Sequence, residues 1–353
     1  MLNFITAGES HGPELTVILD GLPAGLPLTE EMITADLARR QEGPGSGGRM
    51  LIETDTAIIT AGVMEGRTTG APVAIKIVNK DHANWKGKAV RAYTIPRPGH
   101  ADLSAVIKYG FDDIRPALER ASARETAART AMGAVCRAFL KQFGITVSAR
   151  IKSIAGRIGD FETVIHSATK NGETLGGVIE ITAEGLPPGL GTYAQWNRRL
   201  DGRLAAALLS IPAMKGMEIG DAFQNAALPG TRVHDAILPG GARETNNCGG
   251  LEGGITNGQP LLIRLAMKPI PTTIKPQKSY DLSTGKACET KYERSDVCPV
   301  PRAVVVTEAM TAFVLAQALL EKLGGDSIGE MKPRFNALPR NARVAADDRI
   351  FWP

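Results

Sequence analysis

Apolar and polar positions along the chain fall into two rhythms. Strand-like runs occupy 15–23 (LTVILDGLP), 71–80 (APVAIKIVNK), 176–187 (GGVIEITAEGLP) and 260–269 (PLLIRLAMKP), where apolar residues recur at every second position or run on continuously. Helical spacing fits 29–41, about 119–143, about 194–210 and 302–323. Strands and helices mix without a regular βαβα beat, which predicts an α+β fold rather than a doubly wound parallel sheet. The alanine-rich stretch 123–143 sets Met132, Val135 and Phe139 on one stripe, as an interior helix would. The end of the chain, 331–353, has little periodicity and predicts an irregular tail beyond one domain of residues 1–330.

One pattern occurs twice. LDGLPAGLP at 19–27 and AEGLPPGLG at 183–191 share Gly-Leu-Pro-x-Gly-Leu, each after a strand-like run. This fits either a duplicated half-unit or a convenient turn used twice.

With 353 residues, 43% of them hydrophobic and 22% charged, the chain can bury a large core. The balance of 41 basic against 37 acidic residues creates no global field that would draw nucleic acid, and there is no long basic run. Cys136, Cys248, Cys288 and Cys298 never form CxxC, which argues against zinc or a redox pair. MLNFITAGESHG has no secretory signature, so a cytoplasmic location is expected. The most apolar segment, 303–320, contains Glu308 and Gln317 and reads as a buried helix rather than a membrane span.

Candidate chemistry lies in a few clusters. Ser122-x-x-Glu125 reads as a capping box, with Arg120 before it and Arg124 and Arg129 after it. A helix N-terminus beside guanidinium groups suits phosphate or carboxylate, although solvated arginines on a surface helix fit equally. Gly43, Gly45 and Gly48 match G-x-G-x-x-G, but a helix-like segment precedes them and a strand-like one follows, the reverse of a dinucleotide turn. That loop carries Arg39, Arg40 and Arg49 either toward an anion or into water. Glycines at 249, 250, 253, 254 and 258 allow close backbone approach to a ligand or simply a tight loop. His11 in GESHG and His100 in RPGHAD sit in glycine-framed loops, a setting suited to acid–base work. There is no HExxH, no nucleophile elbow and no metal-spaced carboxylate cluster.

In order along residues 1–329, GESHGPELTVILDGLPAG, RPGHADL, KYGFDDIR, ERASARETAARTAMGAV, NNCGGLEGGITNGQP, MKPIPT and RSDVCPVPRAVVVTEAM closely resemble the chorismate synthase family. The resemblance implies a β-α-β sandwich with helices between two sheets, consistent with a duplicated half-unit. It implies a lyase converting 5-enolpyruvylshikimate 3-phosphate into chorismate by 1,4-anti elimination of phosphate, with reduced FMN (FMNH2) required and no net redox change. It also implies an external flavin reductant, an association of NADP with the family, and a homotetramer. The hydrogen lost from C6 is not acidified by a carbonyl, so a side-chain base alone faces a high barrier, and an electron-rich flavin offers the alternative.

Residue by residue, the resemblance makes His11 the acid that protonates the departing phosphate and sets His100 beside the flavin pyrimidine edge. It makes Asp296 a relay near flavin N5. Substrate contacts fall on Ser10, Arg40, Arg49, Arg120 and Arg124. Flavin contacts fall on Arg120, Ala121, Ser122, Pro212, Ala213, Gly253, Lys268, Pro269, Ile270, Pro271, Thr272 and Arg294. The chain departs from many relatives at Ser46, where an arginine is usual, at Ala121 in the usual Arg-Ser-Ser, and at Pro212 in the frequent Asn-Ala. The loop from Lys80 to Pro96 is shorter than in many of them. A flavin reductase with an anionic substrate is the nearest competing reading, but it would need a nicotinamide fold that is not found. A nucleic-acid-binding protein is disfavoured by aromatic residues at only 5%.

Overall fold

A computed structural model describes residues 1–44, 54–292, 296–342, 344 and 346. Two antiparallel four-stranded sheets frame the molecule. The first holds β1 (Asn3–Ala7), β2 (Glu14–Asp20), β3 (Ile58–Ala61) and β4 (Val73–Val78), in the order β1-β2-β4-β3. The second holds β5 (Thr146–Ile154), β6 (Gly177–Glu184), β7 (Met214–Ile219) and β8 (Leu261–Met267), in the order β5-β6-β8-β7. The alternation anticipated for the strands is obeyed. Leu15, Val17 and Leu19 face inward, opposite Val73, Ile75 and Ile77, while Ile179, Ile181, Leu261, Ile263 and Leu265 line the second sheet. Each such side chain contributes about 1.5–3 kcal/mol by leaving water.

The principal helices are α1 (Glu30–Gln41), α2 (Asp102–Tyr109), α3 (Arg115–Arg120), α4 (Thr126–Lys141), α5 (Phe161–Lys170), α6 (Leu200–Leu209), α7 (Val300–Leu323) and α8 (Ile328–Asn336). Helix α4 packs on the first sheet and α7 on the second, and the two helices pack on each other. They approach so closely that a Cβ on Gly133 would stand 2.1 Å from the Cβ of Ala309, which excludes any side chain there. Helix α7 is long and apolar enough to cross a membrane, yet 78% of that stretch is buried inside the protein, as in a core helix. Helix α1 shows why its sequence ends where it does. Thr29 accepts the Met32 N–H, Glu30 and Glu31 open the helix, and Arg39 and Arg40 close it against the macrodipole.

The Gly-Leu-Pro echo marks a duplication rather than a recurring turn. Both copies follow the second strand of their sheet. Gly21 (φ 90°) and Gly185 (φ 79°) meet the chain two residues before the first strand of their sheet, and added Cβ atoms would lie 2.8 Å from Met1 O and 2.3 Å from Gly144 O. The turns are then clamped by equivalent threonines. Thr68 donates to Pro23 O at 2.6 Å and accepts the Leu26 N–H at 3.0 Å. Thr256 donates to Pro187 O at 2.7 Å and accepts the Leu190 N–H at 2.8 Å.

Two expectations are corrected. The segment 119–143 is not one helix: Ser122 is extended, so α3 stops before it and a single 3-10 turn, Ala123–Glu125, leads into α4. Ser122 caps by accepting the Arg124 N–H at 3.2 Å, but Glu125 leaves the box open and instead accepts from Thr6 and Arg129. The stretch 331–353, expected to be irregular, begins within α8, because Ser327 accepts the Glu330 N–H and Met331 and Phe335 bury one face. Phe335 packs 5.3 Å from the Phe143 ring.

Candidate active site

The connection between β1 and β2 is a short turn carrying Ser10 and His11. Asn79, at the end of β4 and 2% exposed, fastens it by donating to Glu9 O at 3.1 Å and Gly12 O at 2.9 Å. The other side of Asn79 accepts Arg124 Nε at 2.9 Å, and Arg124 Nη1 reaches both oxygens of buried Asp55 at 2.6 and 2.7 Å. Arg40 Nη1 lies 3.6 Å from the same carboxylate, while its Nε donates to Thr126 Oγ1 at 3.1 Å and its Nη2 to Ala123 O at 3.0 Å. Complete burial pushes Arg40 down to about 10; Asp55 opposes this, and neighbouring Arg124 and Arg302 add to it. Arg302 itself is lowered by burial and pairs with Asp296 at 2.5 Å, with its Nη2 buried and without a hydrogen-bond partner. Among the described residues this neighbourhood holds three guanidiniums against the carboxylates of Asp55 and Asp296. A buried excess of positive charge is costly unless an anion completes it.

His11 sits at the rim of that cluster. Its Nδ1 is 2.7 Å from Glu119 Oε1, its backbone N–H donates to Glu119 Oε2 at 2.7 Å, and its Nε2 is 3.9 Å from Asp81 Oδ2. The Trp85 ring packs against the imidazole at 4.4 Å. Ser10 Oγ meets Ser122 Oγ at 3.1 Å, so the first candidate turn and the start of the 3-10 segment touch directly. Arg120 turns to the end of β1, donating to Thr6 O at 2.9 Å and Gly8 O at 3.3 Å. Ala121 follows it as the residue that ends α3.

A second group surrounds His100. Its Nδ1 is 2.5 Å from Asp102 Oδ1, and Arg97 brackets the same carboxylate through Nε at 2.8 Å and Nη2 at 3.0 Å. Burial alone would raise the Asp102 pKa, but the hydrogen bonds from His100 and Arg97 prevail and hold it well below the usual carboxylate range. Arg97 Nη1 also reaches Thr272 Oγ1 at 3.4 Å. Lys268 donates through Nζ to Gly99 O at 3.2 Å and through its backbone N–H to Ala213 O at 3.0 Å, which places the Pro212–Ala213 turn beside the 268–272 segment. Thr174 fixes that segment by donating to Ile270 O at 2.7 Å. Pro269 O lies 3.4 Å from Lys268 Nζ, and Pro271 lies beside Gly99. Burial and then the neighbouring Lys215 hold the Lys268 pKa below the ordinary lysine range, a setting that suits a phosphate or an anionic ring.

The structure therefore brings Ser10, His11, Arg40, Ser122 and Arg124 together, with Asp296 attached through Arg302, and gathers His100, Ala213, Lys268 and Thr272 in a second group. Helix α2 starts at Asp102, and α3 ends at Arg120; these helices pack together and link the groups. Gly253 stands apart, in a hairpin whose Gly254 O accepts the Leu200 N–H at the start of α6. Arg39 is taken up by Asp36 and Glu308 rather than by the glycine loop. Arg49, Ser46 and Arg294 lie outside the described residues. Sequence patterns missed Asp55, Asn79, Asp81, Trp85, Arg97, Asp102, Glu119 and Arg302. Only Asp102, two residues after His100, and Glu119, next to Arg120, offered a local signal.

Comparison with known proteins places the chain in a family. The family model described as chorismate synthase matches residues 2–320. The chorismate synthase of Chlorobaculum tepidum is 49% identical over 95% of this chain and 96% of its own length. That of Caldanaerobacter subterraneus subsp. tengcongensis is 50% identical over 95% and 97%. A solved structure described as a crystal structure of chorismate synthase superposes with a TM-score of 0.78 at 43% identity, covering 95% of this chain and 96% of that one. The chain belongs to the chorismate synthase family, whose members are lyases.

Proposed function

We propose that the cleft beside His11 eliminates phosphate from 5-enolpyruvylshikimate 3-phosphate to give chorismate, with reduced FMN as cofactor. The observation that carries this reading is the excess of buried guanidinium, among the described residues, around Asp55 and Asp296, next to a turn that presents Ser10 and His11. A substrate with one phosphate and two carboxylates carries the charge that complements these guanidiniums.

Arg40 and Arg124 are held by Asp55, Asn79 and Thr126 and set a fixed positive field for the anion. Ser10 adds a neutral donor. His11 gives a proton to the departing phosphate or offsets its growing charge, the kind of transition-state interaction that lowers a barrier. Lys268 with Ala213, Thr272 and His100 would hold the flavin, and the two ammonium groups of Lys215 and Lys268 fit an anionic partner there. Reduced FMN, when bound, would supply electron density to the allylic system and an acceptor for the hydrogen lost from C6. Asp102 holds the His100 ring, which would face that cofactor. Asp296, oriented by Arg302, is the proton relay of this scheme.

An external reductant keeps the flavin reduced, and a cytoplasmic location belongs to the same reading. Ile5, Ile18 and Ile58 are 66%, 38% and 36% exposed on the outer face of the first sheet and suit self-association into the family's tetramer. Anaerobic incubation with 5-enolpyruvylshikimate 3-phosphate and chemically reduced FMN is expected to release chorismate and phosphate in equal amounts. Phosphate release without chorismate, or no turnover, would overturn the assignment.

A further inference from the structure

We infer that Glu119 is the positioning residue for His11: its carboxylate keeps the imidazole proton on Nδ1, so Nε2 is the nitrogen that exchanges a proton with substrate. This rests on the reading of His11 as the acid, but its geometry is independent of that reading.

An ionised carboxylate only accepts hydrogen bonds. Glu119 Oε2 accepts the His11 backbone N–H at 2.7 Å, and Oε1 lies 2.7 Å from Nδ1. Two charge-assisted bonds from one carboxylate to one residue require the proton of the second contact to sit on Nδ1. Nε2 is 3.9 Å from Asp81 Oδ2, beyond hydrogen-bond reach of that carboxylate, whereas the Glu119 contact to Nδ1 is within it. The backbone of Glu119 contributes as well, accepting the Ser10 N–H at 3.3 Å. His82 Nδ1 lies 3.0 Å from His11 O, and Trp85, itself bonded to Asp81 at 3.3 Å, covers one face of the imidazole. His11 is thereby fixed at its N–H, its carbonyl, its Nδ1 and one ring face. Glu119 also occupies the last turn of α3, where the helix dipole disfavours a carboxylate, so helix stability does not explain its presence.

The test exploits the chemistry of the amide. In Glu119→Gln one amide oxygen must still accept the His11 N–H, so the NH2 group turns to Nδ1 and drives the ring proton to Nε2. Nitrogen-15 NMR of histidine-labelled protein, at a pH where the ring is neutral and with the His11 signal assigned by its loss in His11→Asn, reads the tautomer directly. The wild type is expected as the Nδ1–H form and Glu119→Gln as the Nε2–H form, with kcat lowered by about 10²- to 10⁴-fold and KM changed much less. A wild-type ring protonated on Nε2 overturns the inference, even if the variant does not fold. So does a folded Glu119→Gln protein that keeps the wild-type tautomer, whatever its turnover. Full turnover in His11→Asn would instead remove the acid role of His11 and leave the tautomer result standing.

Discussion

Across the outer face of the first sheet one register row reads Ala7, Thr16, Lys76 and Ile58. The row in the same position of the second sheet reads Arg150, Glu180, Arg264 and Glu218. One half carries a single charge in that row, on Lys76, and the other is an alternating ladder of charge, although strand order and the Gly-Leu-Pro turns are the same. The connection between the first two strands differs too. In the first half it is the tight turn with Ser10 and His11, whereas in the second it carries helix α5. What the halves share is imposed by main-chain geometry: a glycine with no room for Cβ and a threonine that satisfies a turn. What they do not share is the outward-facing surface and the side chains that meet a ligand, which the backbone does not constrain.

The sharpest way to break this division is to remove the imidazoles. His11→Ala is expected to lower kcat by about 10²- to 10⁴-fold with a smaller change in KM, as for loss of a general acid. His166→Ala, on exposed α5 of the counterpart connection, should leave steady-state kinetics unchanged. Equal losses would mean that the chemistry is not confined to the first half.

Next in size are the ion pairs. Asp55→Ala leaves Arg124 and Arg40 buried without their carboxylate and should cost about 3–5 kcal/mol in urea unfolding. Arg150→Ala, whose side chain is 74% exposed, should cost less than about 1 kcal/mol. Comparable costs would erase the distinction between a buried charge cluster and a solvated ladder.

The shared turns give a smaller and symmetric effect. Thr68→Val and Thr256→Val each strand a carbonyl and an N–H, so each should lose about 1–3 kcal/mol. A gap well above 1 kcal/mol between them would undercut the equivalence of the halves.

The slightest effect is in acid. Burial works to raise Glu180, but Arg264 and Arg150 outweigh it and hold the group at about 2, below its ordinary 4.5. A folded-state pKa below the unfolded one stabilises the fold above the unfolded value, and that contribution fades as pH falls through the folded value. The stability difference between wild type and Glu180→Gln should therefore be constant near neutrality and shrink between pH 4.5 and about 2. A difference that persists unchanged to the acid end of that window would remove the ladder as its source.

The strands that face a core on one side were readable, because Leu15, Val17 and Leu19 or Leu261, Ile263 and Leu265 repeat at the period of the pleat. Strand β5 was not, since Arg150 and Lys152 interrupt its apolar rhythm and are satisfied only by Glu180 on the next strand. The break in the 119–143 segment was half legible, because Ser122 reads as a cap. What the spacing did not show is why the box stays open: Ser122 meets Ser10, and Glu125 is taken by Thr6. His11 could be singled out from its glycine frame. Glu119 could not be assigned to it, because 108 residues separate the two.

By itself the sequence determined the mixed α+β character, the central strands β2, β4, β6 and β8, the helices α1, α4, α6 and α7, the repeated turn and the histidines set in loops, since each is written in local spacing. Only the tertiary structure decided that Asp55 serves two arginines, that Asn79 ties the His11 turn to that cluster, and that Glu119 grips the imidazole. Those contacts join chain segments far apart, and packing alone sets which carboxylate a buried guanidinium or imidazole will find.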